Sequence, residues 1–313
     1  MLGYLVRRVL ATIPVMAVVA LFVFSLLYIA PGDPAAIIAG DQATPADVER
    51  IRAGLGLDRP FLIRFGDWAW HVVTGDLGTS IFTNLPVTRM IGQRLEATAS
   101  LMVLTLIISI GVAVPMGVLA AWNHNTWVDR VIMVVAVLGF SVPVFVVGYI
   151  LSYVFALELG WFPVQGYTPL ARGIGPWLNN LVLPSVALGG VYIALIARIT
   201  RATMLEVLGQ DYIRTAKAKG VGSRSVLFLH ALKNAAVPIV TVIGIGVALL
   251  IGGAVVTETV FAIPGLGSLV VNAILQRDYP VIQGVILLLS FAYVLVNLGV
   301  DLLYSAFDPR IRY

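Results

Sequence analysis

The chain has 313 residues, of which 59% are hydrophobic and only 12% are charged. Soluble domains carry about 25% charged residues, so this composition excludes a water-soluble globular protein, a disordered chain and a coiled coil. The 20 Lys and Arg and 16 Asp and Glu give a net charge of +4 without a basic cluster, which disfavours nucleic acid as a partner. The absence of cysteine excludes thiolate metal ligands and a cysteine nucleophile. We therefore predict an integral membrane protein.

Six segments are free of Asp, Glu, Lys and Arg and reach the roughly 20 residues that a membrane-spanning helix needs. In chain order they are residues 9–32, 97–128, 131–157, 173–197, 234–257 and 279–300. A seventh segment, 259–276, is short and is interrupted by Pro264, Gly265 and Gly267. We interpret it as a loop or partly inserted helix outside the lipid, because irregular backbone facing lipid would leave amides unpaired. The prediction is an all-α polytopic membrane protein with six transmembrane helices.

The distribution of Lys and Arg predicts the orientation of these helices. With a cytoplasmic N-terminus, 12 of the 20 basic residues lie inside, and six of the other eight fall in residues 33–96. Such a long loop is largely exempt from the positive-inside rule, and the short external loops hold only Arg172 and Arg277. Both termini are therefore predicted to be cytoplasmic. No small-x-small cleavage pattern follows the first apolar segment, so we expect a retained transmembrane helix rather than a cleaved signal peptide.

The long external loop, residues 33–96, is predicted to fold into helices. Thr44 and Pro45 have the residue types of an N-cap and a first helical position. Apolar residues then recur at helical spacing in two stretches: Val48, Ile51 and Leu55, then Leu62, Phe65, Ala69 and Val72. Trp68 and Trp70 are suited to the membrane interface. We interpret the loop as a cap on the outer leaflet, with direct substrate contact as the alternative.

The longest internal polar stretch, about 205–233, predicts a helix-turn-helix at the cytoplasmic face. Asp211 is expected to cap a short helix beginning at Tyr212, and Gly220 suits the C′ position after it. Ser223 can cap a second helix that leads into the fifth span. The first helix also carries two basic and two small residues, Lys217, Lys219, Ala216 and Ala218. The small residues would let another surface approach closely, although a basic anchoring loop would also explain the charges.

Residues 211–220 read Asp-Tyr-Ile-Arg-Thr-Ala-Lys-Ala-Lys-Gly, and His-Ala-Leu-Lys-Asn-Ala follows at 230–235. This sequence resembles the EAA loop of bacterial ABC importer permeases, whose pattern is Glu-Ala-Ala, three residues, Gly, nine residues and Ile-x-Leu-Pro. Arg214, Thr215 and Ala216 occupy the triplet, Gly220 the glycine and Leu232 the leucine. His230 and Lys233 depart from the Ile and Pro, in a way that resembles the peptide/opine/nickel branch. The resemblance implies that this segment couples the permease to an ATPase.

Further motifs resemble the same branch over almost the whole chain. They are Pro31-Gly32-Asp33-Pro34, Gly56-Leu57-Asp58-Arg59-Pro60, Gly75-Asp76-Leu77-Gly78, Glu258-Thr259-Val260-Phe261, Pro264-Gly265-Leu266-Gly267, Arg277-Asp278-Tyr279-Pro280 and 308–313. The long first external loop is similar to that of the B-type permease in dipeptide, oligopeptide, glutathione and nickel systems. The resemblance implies a type I ABC importer permease. It divides the chain into an N-terminal tail and first helix (1–32), an external helical loop (33–96) and a five-helix core (97–313).

The resemblance also implies the function and the partners of the chain. We expect the transmembrane subunit of an ATP-driven importer in the bacterial cytoplasmic (inner) membrane, forming half of a translocation pathway for peptides. A second homologous permease, two cytoplasmic ATPase subunits and an external substrate-binding protein would complete it. The chain has no Gly-x-x-x-x-Gly-Lys-Ser/Thr phosphate loop, so ATP and Mg are expected on the ATPase partners. We expect no catalytic residue, cofactor or metal in this chain, and a nickel chelate or an opine stays open as substrate.

Other classes of function fit the sequence less well. An ion-coupled secondary transporter usually buries ionisable residues near the bilayer midplane, and the six predicted spans have none at their centres. A receptor or scaffold protein is a third class, and copurification with a nucleotide-hydrolysing subunit would separate it from an importer. The three histidines, His71, His124 and His230, fall on different loops, so a metal centre built from them is not expected.

Several residues near the predicted spans are candidates for substrate contact, gating or assembly. Glu258, Arg277 and Asp278 fall on the external side. Glu258 could meet the amino end of a peptide or, as we favour, pair with Arg277 across the same loop. Prolines within spans two to four are expected to kink them or, alternatively, to shape the cavity: Pro115, Pro143 and Pro184. Four glycines of span five suggest an interface with the partner permease: Gly244, Gly246, Gly252 and Gly253.

Overall fold

The structure is a computed structural model that describes residues 2–29, 34–39, 43–54 and 57–307. The helices are α1 Leu2–Ile29, α2 Pro34–Ala39, α3 Pro45–Gly54, α4 Phe61–Val73, α5 Val87–Trp122, α6 Trp127–Ser141, α7 Val144–Leu151, α8 Ile174–Leu208, α9 Asp211–Ala218, α10 Ser223–Ser225, α11 Lys233–Val260, α12 Leu266–Gln276 and α13 Tyr279–Phe307. Within these residues no β-strand forms, and one isolated bridge pairs Thr79 with Pro86. The all-α prediction is confirmed. The predicted turn at 31–33, Leu55, Gly56 and the motif at 308–313 lie outside the described residues.

Five described helices are long and apolar enough to cross a membrane. They are Leu10–Ile29 within α1, then Val87–Trp122, Ile174–Leu208, Ser223–Val260 and Tyr279–Val300. A sixth span results if α6 and the adjoining helix Val144–Glu158 are taken together, although they are bent by 103°. This agrees with the six segments found in the sequence. The interrupted segment 259–276 forms a turn followed by the short helix α12.

The three prolines within the predicted spans have different effects. Pro115 and Pro184 lie inside the uninterrupted helices α5 and α8. Pro143 instead lies at the break between α6 and α7, where Val142 and Pro143 both have an extended backbone. A proline disfavours helical geometry in the residue before it, which explains why α6 ends there. The third predicted span is therefore broken at Pro143, with a bend of 103° between its two helices.

The described chain divides into two compact units, and the first holds most of the long helices. It comprises Met1–Leu5, Leu95–Ser268 and Tyr293–Tyr313. Its core is formed around α8, whose fully buried Leu188 packs with apolar residues of α5 and α11. At Gly117 of α5, an added Cβ atom would lie only 2.5 Å from the Thr200 Cβ atom of α8. A glycine is therefore required where these two helices cross.

The glycines of α11 also serve packing within the first unit. Three of them, Gly244, Gly246 and Gly253, lie against side chains of α8 or α13 of the same chain. At Gly244 an added Cβ atom would come within 2.4 Å of Val300. Only Gly252 of the four has open space around its Cα atom. Intrachain packing therefore accounts for three of the four glycines, and the interface of span five with a partner permease stays a prediction.

The second unit, Val6–Arg94 and Leu269–Ala292, contains the predicted external loop. Its helix α3 begins at Pro45, as the sequence predicted, and α4 packs against α1 through aromatic rings. The ring of Phe24 in α1 lies 5.6 Å from that of Phe65 and 5.3 Å from that of Trp68. Leu62 was predicted on the same face as Phe65 but is 75% exposed. The helical character of the loop is confirmed, although the packed face of α4 is aromatic rather than aliphatic.

Candidate functional site

The segment that resembles the EAA loop begins with the short helix α9. Gln210 is the N-cap and has an extended backbone, so Asp211 is the first helical residue instead of the predicted cap. No side chain caps this end of the helix, and the Asp211 carboxylate lies 3.5 Å from the Arg214 guanidinium on the exposed surface. The helix thus starts one residue earlier than predicted. An acid in the first turn still interacts favourably with the helix dipole.

The end of α9 confirms the predicted role of Gly220. Its φ of +79° is left-handed, and its N–H donates to the Lys217 carbonyl at 3.0 Å. The N–H of Val221 donates to the Ala216 carbonyl at 3.1 Å, which completes a Schellman motif. An added Cβ atom at Gly220 would meet nothing within 4 Å. The backbone conformation, and not crowding, therefore favours glycine at this position.

Ile213 attaches α9 to the rest of the first unit. It is the buried residue of this helix and is completely inaccessible to solvent. It belongs to an apolar cluster with residues of α5, α8, the π-helical segment Val226–Leu232 and α11: Val118, Ala121, Met204, Val226, Ala231, Ala235 and Ile239. Sequence reasoning missed Ile213, although it is the one large aliphatic residue of the polar stretch 211–220. We refer to these eight residues as the Ile213 cluster.

The opposite face of α9 is exposed and polar. Its exposed residues are Asp211, Tyr212, Arg214, Thr215, Lys217, Ala218 and Lys219, and Ala216 is half-buried. The Lys217 ammonium lies 5.7 Å from the centroid of the Trp122 ring at the end of α5. The predicted coupling residues of this helix are therefore brought together as one surface, which Ile213 supports from behind. Such a surface can dock against another protein while it stays fixed to the apolar helices.

The second helix of the segment begins one residue before its predicted position. Gly222 is the N-cap and Ser223 is the first helical residue, a shift within the usual uncertainty of helix ends. The helix continues through the π-helical segment Val226–Leu232 into α11, which confirms the predicted connection to span five. His230 is half-buried, and its carbonyl accepts a 2.6 Å hydrogen bond from the Asn234 amide. Leu232 packs against the Ile213 cluster.

Glu258, a candidate for substrate contact, is fully buried in the first unit. The Thr98 hydroxyl donates to Glu258 Oε1 at 2.6 Å, and the Ser268 N–H donates to Oε2 at 2.9 Å. Thr98 Oγ1 in turn accepts the Leu266 N–H at 2.7 Å. Glu258 and Thr98 therefore bind the otherwise unpaired N–H groups at the start of α12. This arrangement gives the acid a structural role and leaves none of its surface open to a peptide.

Asp278 and Arg277 differ sharply in exposure. Asp278 in the second unit is buried, and it accepts the Ser80 hydroxyl at 2.5 Å and the Ile81 N–H at 3.3 Å. It joins the segment that precedes α13 to the segment that precedes α5. Arg277 is exposed and has a left-handed backbone, with a φ of +58°. Of these two candidates, only Arg277 is accessible to a ligand.

A partly buried ion pair that sequence reasoning did not predict links α6 to α8. The carboxylate of Asp129 accepts two hydrogen bonds from the Arg201 guanidinium, at 2.5 and 2.7 Å. His124 Nδ1 lies 3.5 Å from the same carboxylate. In the sequence, the one sign of this pair was the acid Asp129 between the second and third apolar segments. Among the described residues, no group of three or more His, Asp or Glu side chains is arranged to hold a metal ion.

The long apolar helices define the chain as a polytopic membrane protein. Residues 113–313 match the family "Binding-protein-dependent transport system inner membrane component", and residues 1–102 match the N-terminal part of such membrane components. The chain belongs to this family. The resemblance to ABC importer permeases that the EAA-like segment suggested is thereby confirmed.

Several relatives match this chain over its whole length. The chain is 56% identical to a probable peptide ABC transporter permease protein of Sinorhizobium fredii, over 99% of both chains. It is 42% identical to a dipeptide transport system permease of Alkalihalophilus pseudofirmus and 41% identical to a glutathione transport system permease of Salmonella typhi, each over the full length of both chains. Its fold is similar to that of a chain of the MetNI methionine ABC transporter in an inward-facing conformation. The TM-score is 0.59 at 18% identity, covering 70% of this chain and 96% of that one.

Proposed function

We propose that this chain is the transmembrane permease subunit of an ATP-driven ABC importer for peptides and forms half of its translocation pathway. Membership of the family supports the transport role, and the full-length relatives named for peptide, dipeptide and glutathione transport support the substrate class. The chain is a non-catalytic subunit in the bacterial inner membrane, with both termini in the cytoplasm. Residues 33–96 form its external helical loop, and residues 97–313 form the permease core.

The proposed complex contains a second homologous permease, two cytoplasmic ATPase subunits that hold ATP and Mg, and an external substrate-binding protein. The observation that carries the proposal is the exposed face of α9 with the buried Ile213 behind it. We place this face in a groove of an ATPase subunit. ATP can shift the permease between two states only through contacts that differ between them. The Ile213 cluster would pass a movement of α9 to α5, α8 and α11.

Uptake measurements test the energy source and the substrate class. Cells that depend on this chain are expected to take up labelled dipeptides, and uptake should stop when ATP is depleted. A protonophore that leaves ATP levels intact should have little effect. Uptake that follows the ion gradient instead of ATP would favour an ion-coupled secondary transporter and would overturn the proposal.

A substitution at Gly220 tests the coupling segment. Valine there must adopt a left-handed backbone, which costs roughly 1 kcal/mol or more and displaces the end of α9. We expect Gly220→Val to insert in the membrane but to lose substrate-stimulated ATP hydrolysis and uptake. Gly220→Asn is the matched control, because asparagine tolerates the left-handed conformation and should retain most activity. Normal uptake by Gly220→Val at wild-type expression would remove the segment from the coupling role.

A further inference from the structure

The third apolar span is interrupted where α6 ends and α7 begins. Residues 141–145, which we call the α6–α7 break, fall near the middle of the third charge-free segment and are exposed or half-buried. Among the described residues, the carbonyl groups of Phe140 and Ser141 accept no hydrogen bond, and the N–H groups of Val144 and Phe145 donate none. The break therefore presents open backbone donors and acceptors within the apolar layer.

These open backbone groups exclude lipid as the neighbour of the α6–α7 break. Hydrocarbon offers no hydrogen bond, so irregular backbone in a membrane is tolerated only where protein covers it or where it lines a water-filled cavity. A covering protein would have to supply a matching donor or acceptor to each open group, whereas water can pair with all of them. The surface of α7 that adjoins the break distinguishes these two cases.

Two faces of α7 and of the π-helical segment that follows it, Ser152–Glu158, have clear neighbours. The face with the small residues Gly148 and Ala156 is buried, and a Cβ atom added at Gly148 would lie 3.2 Å from the ring of Phe261. This face therefore packs within the first unit. A second face is aliphatic and exposed, and it suits lipid because it offers no polar group: Ile150, Val154 and Leu157.

The third face of α7 is aromatic and begins at the break. Phe145, Tyr149 and Tyr153 recur at every fourth position, so they lie on one side of the helix. They are 46%, 60% and 58% exposed. In the part of the chain that the structure describes, the two tyrosine hydroxyls have no hydrogen-bond partner. Because a tyrosine hydroxyl removed from water usually finds such a partner, this face is expected to contact water, as the break does.

We propose that the α6–α7 break and the aromatic face of α7 line the water-filled pathway through which the peptide passes. This inference rests on the proposed transport function. The N–H and carbonyl groups of a peptide backbone complement the open carbonyls of Phe140 and Ser141 and the open N–H groups that follow them. Main-chain hydrogen bonds do not depend on the side chains of the peptide. The third segment carries no charge, so this part of the pathway would accept peptides of different sequence.

Chemical modification of single cysteines tests the proposal, and the chain itself contains no cysteine that would interfere. The assembled complex is placed in lipid nanodiscs, where both membrane faces are open to a charged, water-soluble thiosulfonate, and labelling of this chain is followed by intact mass. We expect Tyr149→Cys to react at least about tenfold faster than Ile150→Cys, because the reactive thiolate is disfavoured in apolar surroundings. Ile150→Cys is the matched control: it is the next residue of the same helix and is 55% exposed, but on the aliphatic face.

A second variant covers the case in which loss of the Tyr149 ring disturbs the helix. Ser141→Cys changes one atom of an exposed side chain at the break and should also react faster than Ile150→Cys. A saturating dipeptide should slow the modification of both test variants several-fold and leave the control unchanged.

Equal rates for the two test variants and the control would overturn the proposal. A disulfide between Tyr149→Cys and a cysteine of the second permease, without modification by the reagent, would make this face a subunit contact and would also overturn it. Fast modification that no dipeptide slows would remove the contact with the cargo. The reagent measures access of water, so its result does not depend on the energy source. Uptake that follows an ion gradient would therefore refute the proposed function and leave the water-filled pathway in place.

Discussion

Truncation of Ile213 is the sharpest test of how α9 is attached to the membrane helices. Ile213→Ala removes the contact that places α9 on the Ile213 cluster, while every exposed residue of the proposed docking face stays unchanged. An isolated helix of eight residues is not stable in water, so α9 depends on this packing for its position. A second side-chain contact, Lys217 over the Trp122 ring, is an exposed cation–π contact of about 0.5–1 kcal/mol.

The expected loss of packing free energy is large compared with that contact. Three carbon atoms leave a fully buried site, which corresponds to about 2.4 kcal/mol of transfer free energy, and an unfilled cavity raises the cost to between about 2 and 5 kcal/mol. A loss of about 3 kcal/mol changes the ratio of attached to detached α9 by roughly 100-fold. Ile213→Leu is the matched control, because it conserves the volume and should cost less than about 1.5 kcal/mol.

The assay combines substrate-stimulated ATP hydrolysis of the assembled complex with hydrogen exchange at the α9 amides. We expect Ile213→Ala to retain basal hydrolysis, to lose most of its stimulation by substrate-loaded binding protein and to exchange faster in residues 211–218. Ile213→Leu should behave like the wild type in both measurements. Wild-type stimulation with unchanged exchange in Ile213→Ala would refute the reasoning, because α9 would then be held by contacts other than the Ile213 cluster.

Two further predictions test buried polar contacts, and a third tests the topology predicted from the sequence. Thr98→Val should destabilise the detergent-solubilised protein by about 3 kcal/mol, because Glu258 and the Leu266 N–H both lose a hydrogen-bond partner. The measurement is the midpoint of thermal unfolding, which should fall in Thr98→Val and stay close to the wild-type value in Thr98→Ser. Asp129→Leu should lower the midpoint more than the double variant Asp129→Leu/Arg201→Met, because the single change leaves the guanidinium unpaired; equal midpoints would contradict this. Single cysteines that replace Thr44 or Asn84 should be labelled from outside sealed cells, and those that replace Ser223 or Tyr313 should not. Labelling at position 223 would contradict the predicted topology.

Much of the fold could be predicted because its signals are local. Charge-free runs identify the spans, since each span must satisfy its backbone internally and avoid charge over its whole length. The Schellman motif at Gly220 could be predicted for the same reason, because a glycine after a short polar helix meets a local backbone requirement. The errors at Asp211 and Ser223 were one-residue displacements of helix starts, which short-range preferences do not fix.

The bend at Pro143 and the role of Ile213 depended on tertiary structure. A proline within an apolar run predicts a kink or a break, but the 103° angle depends on how α6 and α7 each pack on α8. Ile213 appeared in the sequence as one aliphatic residue in a polar loop. Its burial depends on Val118 and Met204, which lie in other helices and far away in the chain. Periodicity within one segment contains no information about such partners.

Glu258 and Asp278 show why residue type alone did not identify a substrate contact. A carboxylate at the end of a span predicts either a ligand contact or a buried structural charge, and the choice depends on whether donors surround it. For Glu258 the donors include the Thr98 hydroxyl, 160 positions away in the chain, and for Asp278 the Ser80 hydroxyl, 198 positions away. Both acids are buried, so of these three candidates Arg277 is the one that a ligand can reach. It is exposed and cationic, and its left-handed backbone is set by the end of α12, where its N–H donates to the Ile274 carbonyl at 3.1 Å.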